Sequence, residues 1–199
     1  MTRRPLSVLA LALVLAVVAC GREPPPPPAP VGPTAAELEQ ARQDSIARVA
    51  AAQDSAAAAE AASERAAQAQ RDRVQRDLLA ALEAMVNFDY DEAAITPEAE
   101  GVLRPKADIL RANSAVEITI QGHADERGST EYNLALASLR ADAVRQFFTA
   151  FGLDAGRFVT VSFGEERPLV NRSDEDAWAQ NRRAEFVITG GGGELTAPR

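Results

Sequence analysis

Four short stretches in the C-terminal half of this chain alternate apolar and polar side chains, the period of a half-buried strand. Val86, Phe88 and Tyr90 alternate with Asn87, Asp89 and Asp91, and Val116, Ile118 and Ile120 with Glu117 and Thr119. Val159, Val161 and Phe163 form a third set, and Ala184, Phe186 and Ile188 alternate with Glu185 and Val187. Helical patterns lie between them. Thr96-Pro97 reads as an N-cap with proline at the first helical position, opening a helix to about Ala112. Pro105 falls inside it, loses a hydrogen bond to the Gly101 carbonyl, and predicts a kink or a restart. A longer helix opens at Ser129-Thr130, with Glu131 in its first turn, and ends before Gly152. A short one opens at Ser173, carries Trp178 as a core or flank packing residue, and ends near Arg182. Strands alternating with helices predict a two-layer α/β sandwich over residues 85–189. The glycine-rich segment 190–199 reads as a mobile tail.

The N-terminal half has a different pattern. Residues 34–84 are rich in Ala, Glu, Gln and Arg, all strong helix formers, and Thr34 with Glu37 makes a capping box after Pro33. One helix of that length would reach about 75 Å. Its large apolar residues are sparse (Leu38, Ile46, Val49, then Val74, Leu78, Leu79 and Leu82), so no heptad is sustained. A single spacer helix, a weakly associating coil and partial disorder all remain open. Before it, residues 20–33 form a proline-rich linker, with residues 24–30 nearly all proline and expected in extended polyproline II. Residues 1–19 read as a targeting segment. Arg3-Arg4 precede an apolar run from Leu6 to Val18 that is short for a bilayer span. Val17-Val18-Ala19-Cys20 has the form of a lipobox, in which cleavage leaves Cys20 first and acylated. Several acyl chains give stable anchoring, since each buried CH₂ contributes about 0.8 kcal/mol. Gly21 at the next position, in place of an Asp, favours the outer membrane, with the chain facing the periplasm.

Composition narrows the chemistry. The net charge is −8 over 199 residues, which disfavours nucleic acid as a partner. One Cys and one His leave no Cys/His zinc set and no internal disulfide, and no cofactor motif stands out. His123 has no nucleophile beside it, so a hydrogen-bonding role holding its loop is the better reading, and no enzyme is expected.

Charge is concentrated where the second strand turns into the long helix, from Gly122 to Asn133. Helical periodicity predicts that Tyr132, Leu136, Leu139 and Ala143 are buried, with Asn133, Ala137 and Arg140 on the neighbouring stripe. This places the Asp125 carboxylate near a helix N-terminus, with Arg140 about two turns along. The pair suits a small zwitterion. Arg140 and free backbone N–H groups would take its carboxylate, and Asp125 its ammonium. The two residues equally suit an ion pair with one another. As cleft residues, their replacement is expected to leave the fold intact.

The run from Gly122 to Val144, GHADERGSTEYNLALASLRADAV, resembles the core motif of the OmpA-like C-terminal domain family. Its Ala-Asp-Glu-Arg-Gly is similar to the form in the peptidoglycan-associated lipoproteins of the Tol-Pal system. The resemblance extends from Phe88-Asp89-Tyr90-Asp91 through Ser162-Phe163-Gly164-Glu165-Glu166-Arg167-Pro168 to Asn181-Arg182-Arg183-Ala184. It implies helices on a mixed four-stranded sheet, preceded here by the long Ala-rich helix. It implies non-covalent binding of the diaminopimelate side chain of peptidoglycan through Asp125 and Arg140, with Asn133 between them. Tyr90, Asp91, Arg127 and Arg182 match positions at the rim. It also implies a tether between outer membrane and wall that contacts TolB. A spacer whose helix is the working part, and a wall hydrolase, are the competing readings.

Overall fold

The computed structural model describes residues 32–198. The targeting segment, Cys20 and the proline run at 24–30 lie outside the described residues. The chain divides into two units, one ending at Ser55 and one beginning at Ala56. In the first, helix α1 (Ala35–Glu83) begins on the expected capping box. The Thr34 N–H donates to Glu37 at 2.6 Å, and the Glu37 N–H donates back to the Thr34 hydroxyl at 3.3 Å. Leu38, Ile46 and Val49 are exposed there.

The second unit carries the sandwich. After α1 come β1 (Val86–Asn87), α2 (Pro97–Ala112), β2 (Glu117–His123), α3 (Thr130–Ala150), β3 (Phe158–Gly164), α4 (Glu175–Asn181) and β4 (Arg183–Gly190). The strands lie in the order β1-β4-β2-β3. Strand β2 runs parallel to β3, and β4 runs antiparallel to both β1 and β2. The sheet is therefore mixed, as expected. Ile118 and Ile120 of β2 sit beside Ile188 and Phe186 of β4, and their side chains enter one core with Leu103, Ala107 and Leu110 of α2 and Val144 and Phe148 of α3.

Several expectations change. Strand β1 stops at Asn87, and a turn follows in which Asp91 takes φ 59°, a left-handed backbone that Asp tolerates better than most residues. Helix α2 runs unbroken through Pro105. Pro105 and Gly101 are both exposed, so the carbonyl that proline leaves unpaired can reach water. The cap of α4 is Asp174, which accepts from the Ala177 N–H, and not Ser173. The C-terminal segment is seated, not loose. Leu195 is buried in the core, its N–H and carbonyl both pair with the Gln75 side chain, and Thr196 pairs the same way with Asn113.

Residues 74–83 belong to this unit. Leu78 and Leu82 join the core, and the last carbonyls of α1 are capped from outside the helix. Buried Lys106 on α2 donates to the carbonyls of Ala81 (2.7 Å), Leu82 (2.7 Å) and Ala84 (3.0 Å). A helix end buried without such partners would leave these groups orphaned. Replacing Lys106 with Ala strips three carbonyls and opens a cavity, so urea unfolding should show a loss of about 2–4 kcal/mol. Arg111→Ala, on the exposed side of the same helix, should lose less than about 1 kcal/mol.

Candidate functional site

The junction of β2 and α3 is built on a close approach. A Cβ on Gly122 would lie 1.9 Å from the Ala137 carbonyl oxygen, so only glycine lets the helix backbone come this near. That contact fixes which face of α3 is buried. Asn133, Ala137, Arg140, Ala141, Val144 and Phe148 turn inward, while Tyr132 is 51% exposed and Leu139 59%. Of the expected apolar stripe, Tyr132 and Leu139 lie outside and Leu136 and Ala143 are only half-buried, while the polar stripe lies within. Small Ala137 admits the sheet, and the larger Tyr132 and Leu139 would not fit against it. Ser129 caps the helix by accepting from the Tyr132 N–H, and Gly128 enters it with φ 113°.

A cleft of about 140 Å³ opens at this junction. Tyr90, Asp91, Asp125, Arg127, Asn133 and Arg140 all line it, so six of the seven anticipated polar residues meet in one place. Arg182 stands directly behind, donating to Asp125 at 3.3 Å.

Arg140 is fully buried. It does not bond directly to Asp125. Its Nε donates to the Glu92 carbonyl (2.8 Å), Nη1 to that of His123 (2.9 Å) and Nη2 to that of Asp89 (3.1 Å). It thus pins the turn bearing Tyr90 and Asp91 to the end of β2. Burial pulls its guanidinium down to about 10, so it stays charged at neutral pH. Of its five N–H donors, three are occupied. Its replacement cannot leave the fold untouched, contrary to the expectation from spacing: the three carbonyls would lose their donor.

Asp125 is also buried. Its carboxylate accepts from the Arg127 backbone N–H (3.1 Å), Arg127 Nε (3.2 Å) and Arg127 Nη2 (2.6 Å), besides Arg182. Burial alone would raise its pKa, but these hydrogen bonds outweigh burial and hold it below the usual carboxylate range. The Arg127 guanidinium lies over the rings of Tyr90 (4.0 Å) and Trp178 (4.3 Å). Trp178 is a flank residue, as expected, and its indole N–H donates to Glu126 at 3.0 Å. Asn133 is turned aside by Glu165, which accepts from its amide and, at 2.9 Å, from the Thr130 hydroxyl.

Residues 87–182 match the model of the OmpA family. The chain is 41% identical over 118 residues to the peptidoglycan-associated lipoprotein of Agrobacterium fabrum, covering 59% of this chain and 67% of that one. It is 38% identical over 117 residues to the one of Mesorhizobium japonicum, covering 59% and 70%. The chain belongs to the OmpA family, among its peptidoglycan-associated lipoproteins. The crystal structure of the peptidoglycan-associated lipoprotein from Burkholderia pseudomallei superposes with a TM-score of 0.52 at 40% identity, over 53% of this chain and 89% of that one. The α/β sandwich is therefore the fold of this lipoprotein family.

In this family member, residues outside the anticipated set complete the site. Glu175 accepts from Arg182 (2.9 Å) and Arg127 (3.3 Å), and Glu165 positions Asn133. Glu165 stands in the SFGEERP run, but only the fold brings it over α3. Glu175 lies in the first turn of α4, where nothing in the sequence distinguishes it from a solvated acid.

His123 holds no loop through its ring. Neither ring nitrogen has a hydrogen-bond partner among the described residues; the ring stacks on Phe163 at 5.5 Å, and only its backbone carbonyl serves the site. Burial, with Arg183 nearby, pushes its pKa down to about 4, so the ring is neutral at pH 7 and its 3.9 Å approach to Glu185 is no ion pair. In the unfolded chain the ring titrates near 6.5, so between pH 6.5 and 4 the unfolded state holds the extra proton. Stability from neutral His123 is complete above pH 6.5 and lost as pH falls towards 4. Denaturation at stepped pH should show wild type losing up to about 3 kcal/mol relative to His123→Phe across that window.

Proposed function

We propose that this chain is an outer-membrane lipoprotein, facing the periplasm, that tethers the outer membrane to peptidoglycan. In this reading Cys20 carries the lipid and the cleft between β2 and α3 takes the diaminopimelate end of a stem peptide. The Tol-Pal system, with TolB as a protein partner, is the setting. The single observation that carries the reading is the cleft, where one buried carboxylate and two arginines meet. Its volume is small beside the roughly 300–1,000 Å³ of sites that engulf a drug-sized ligand. It suits the tip of a side chain, not a sugar. The ligand's ammonium is assigned to Asp125. Its carboxylate is assigned to the two remaining N–H donors of Arg140 and to Arg127. Tyr90, Asp91, Asn133 and Arg182 shape the rim and the back wall. The names of the relatives support the same ligand class.

Charge-assisted hydrogen bonds contribute about 1.5–3 kcal/mol each, and two or three leave a modest, reversible affinity after the losses of association. Many copies on one polymeric wall then hold through multivalency. Binding of this kind needs no catalytic group.

Co-sedimentation with purified diaminopimelate-type sacculi tests the assignment. Asp125→Asn should lower the bound fraction at least tenfold, and free diaminopimelate should compete the wild type away. Sedimentation of Asp125→Asn at wild-type level would remove Asp125 from the site. The spacer reading is separated by deleting residues 34–72, which spares Gln75, Leu78 and Leu82 in the domain core. Wall binding should persist in that shortened chain.

A further inference from the structure

The carboxylate of Asp125 has no room for the cation that the proposed function brings to it. An ionised carboxylate offers about four lone-pair positions. Here they meet the Arg127 backbone N–H, Arg127 Nε, Arg127 Nη2 and Arg182 Nη1. An ammonium group arriving from solvent must therefore expel one of the two guanidinium groups.

The two are not equivalent. The Arg182 side chain is 8% exposed and tied twice more, to the Phe88 carbonyl (3.1 Å) and to Glu175 (2.9 Å). The Arg127 side chain is 27% exposed, and it lines the cleft. Its second anionic partner, Glu175, lies 3.3 Å away, and that carboxylate is itself mostly exposed. The faces of Tyr90 and Trp178 hold the same guanidinium in cation–π contacts, at 4.0 and 4.3 Å, that do not involve Asp125. Arg127 can thus leave the carboxylate without leaving all of its favourable contacts.

We propose that Arg127 is a displaceable internal ligand of Asp125, an ion-pair latch that an incoming ammonium group opens by taking its place. The latch rests on the reading of the cleft as the ammonium-binding site. It keeps the buried carboxylate paired while the cleft is empty, which a charge with so little exposure requires. It also sets a threshold. A neutral chain end cannot replace a guanidinium on Asp125, so it gains nothing by entering. On release, the guanidinium is free to turn to the ligand's carboxylate. Apparent affinity is lowered by the fraction of molecules in which the latch is closed.

The experiment uses the full chain in detergent, with the Arg127 Nε–H followed by ¹⁵N NMR and affinity by calorimetry. The probes are meso-diaminopimelate, its N,N′-diacetyl derivative (in which both ammonium groups are neutralised), and n-butylammonium. Diaminopimelate and n-butylammonium should both shift the Arg127 Nε–H signal, and the acetylated form should leave it in place. Arg127→Ala should bind n-butylammonium at least fivefold more tightly than wild type. If n-butylammonium moves Arg127 while diaminopimelate does not bind, the latch stands and the wall-binding reading falls. If diaminopimelate binds with the Arg127 signal unmoved, the latch is overturned and the site reading stands. If no probe moves it, or if Arg127→Ala binds n-butylammonium no better, the latch is overturned.

Discussion

A guanidinium without solvent is the centre of this domain. Arg140 lies under the β2–α3 junction with three backbone carbonyls around it, from two separate segments of chain. A buried charge is tolerated only when hydrogen-bonded and balanced. The balance comes from Asp125 nearby, which in turn is tied to Arg127 and Arg182, and these to Glu175. The cleft is the surface of that network. Its shape follows from Arg140 drawing the Asp89–Glu92 turn towards the end of β2, so that Tyr90 and Asp91 face α3.

Most of the architecture was legible in the pattern. Each of the four alternating stretches holds a strand, though the first is one only over Val86–Asn87, and Thr96-Pro97 and Ser129 mark helix starts as local capping chemistry predicts. What escaped is non-local. Periodicity, which weighs large apolar residues, points to the wrong face of α3. Here the sheet demanded a small one, Ala137 against Gly122, and a buried cation beside it. Likewise the segment after β4 reads as loose by composition, and only the distant Gln75 and Asn113 show why it is not. The residues of the cleft were found by their charge and by the family motif. Their partners Glu165 and Glu175 were not, since an acid on a helix start or a loop looks like any solvated acid until the fold sets it opposite an amide or arginine.

Two roles recur among the buried polar groups. Lys106 and Arg140 each satisfy main-chain carbonyls, and both act as caps that join segments far apart in sequence. Asp125 and Arg182 answer one another, Arg182 also donating to the Phe88 carbonyl, and they sit where the network reaches the cleft. His123 takes neither role. Among the described residues its ring nitrogens have no hydrogen-bond partner, and burial keeps the ring neutral, so it behaves as a flat packing surface for Phe163.

The pairing of Gln75 with Leu195 joins residues 120 positions apart. The last turns of α1 and the segment after β4 are thereby stitched along one seam, with Leu195 buried in the core. A glycine-rich segment is ordinarily one that a protease can cut without harm. Here a cut ahead of Leu195 would strip Gln75 of its partner and take a side chain out of the core, loosening the final turns of α1, while the cleft, which draws no residue from that segment, would stay whole.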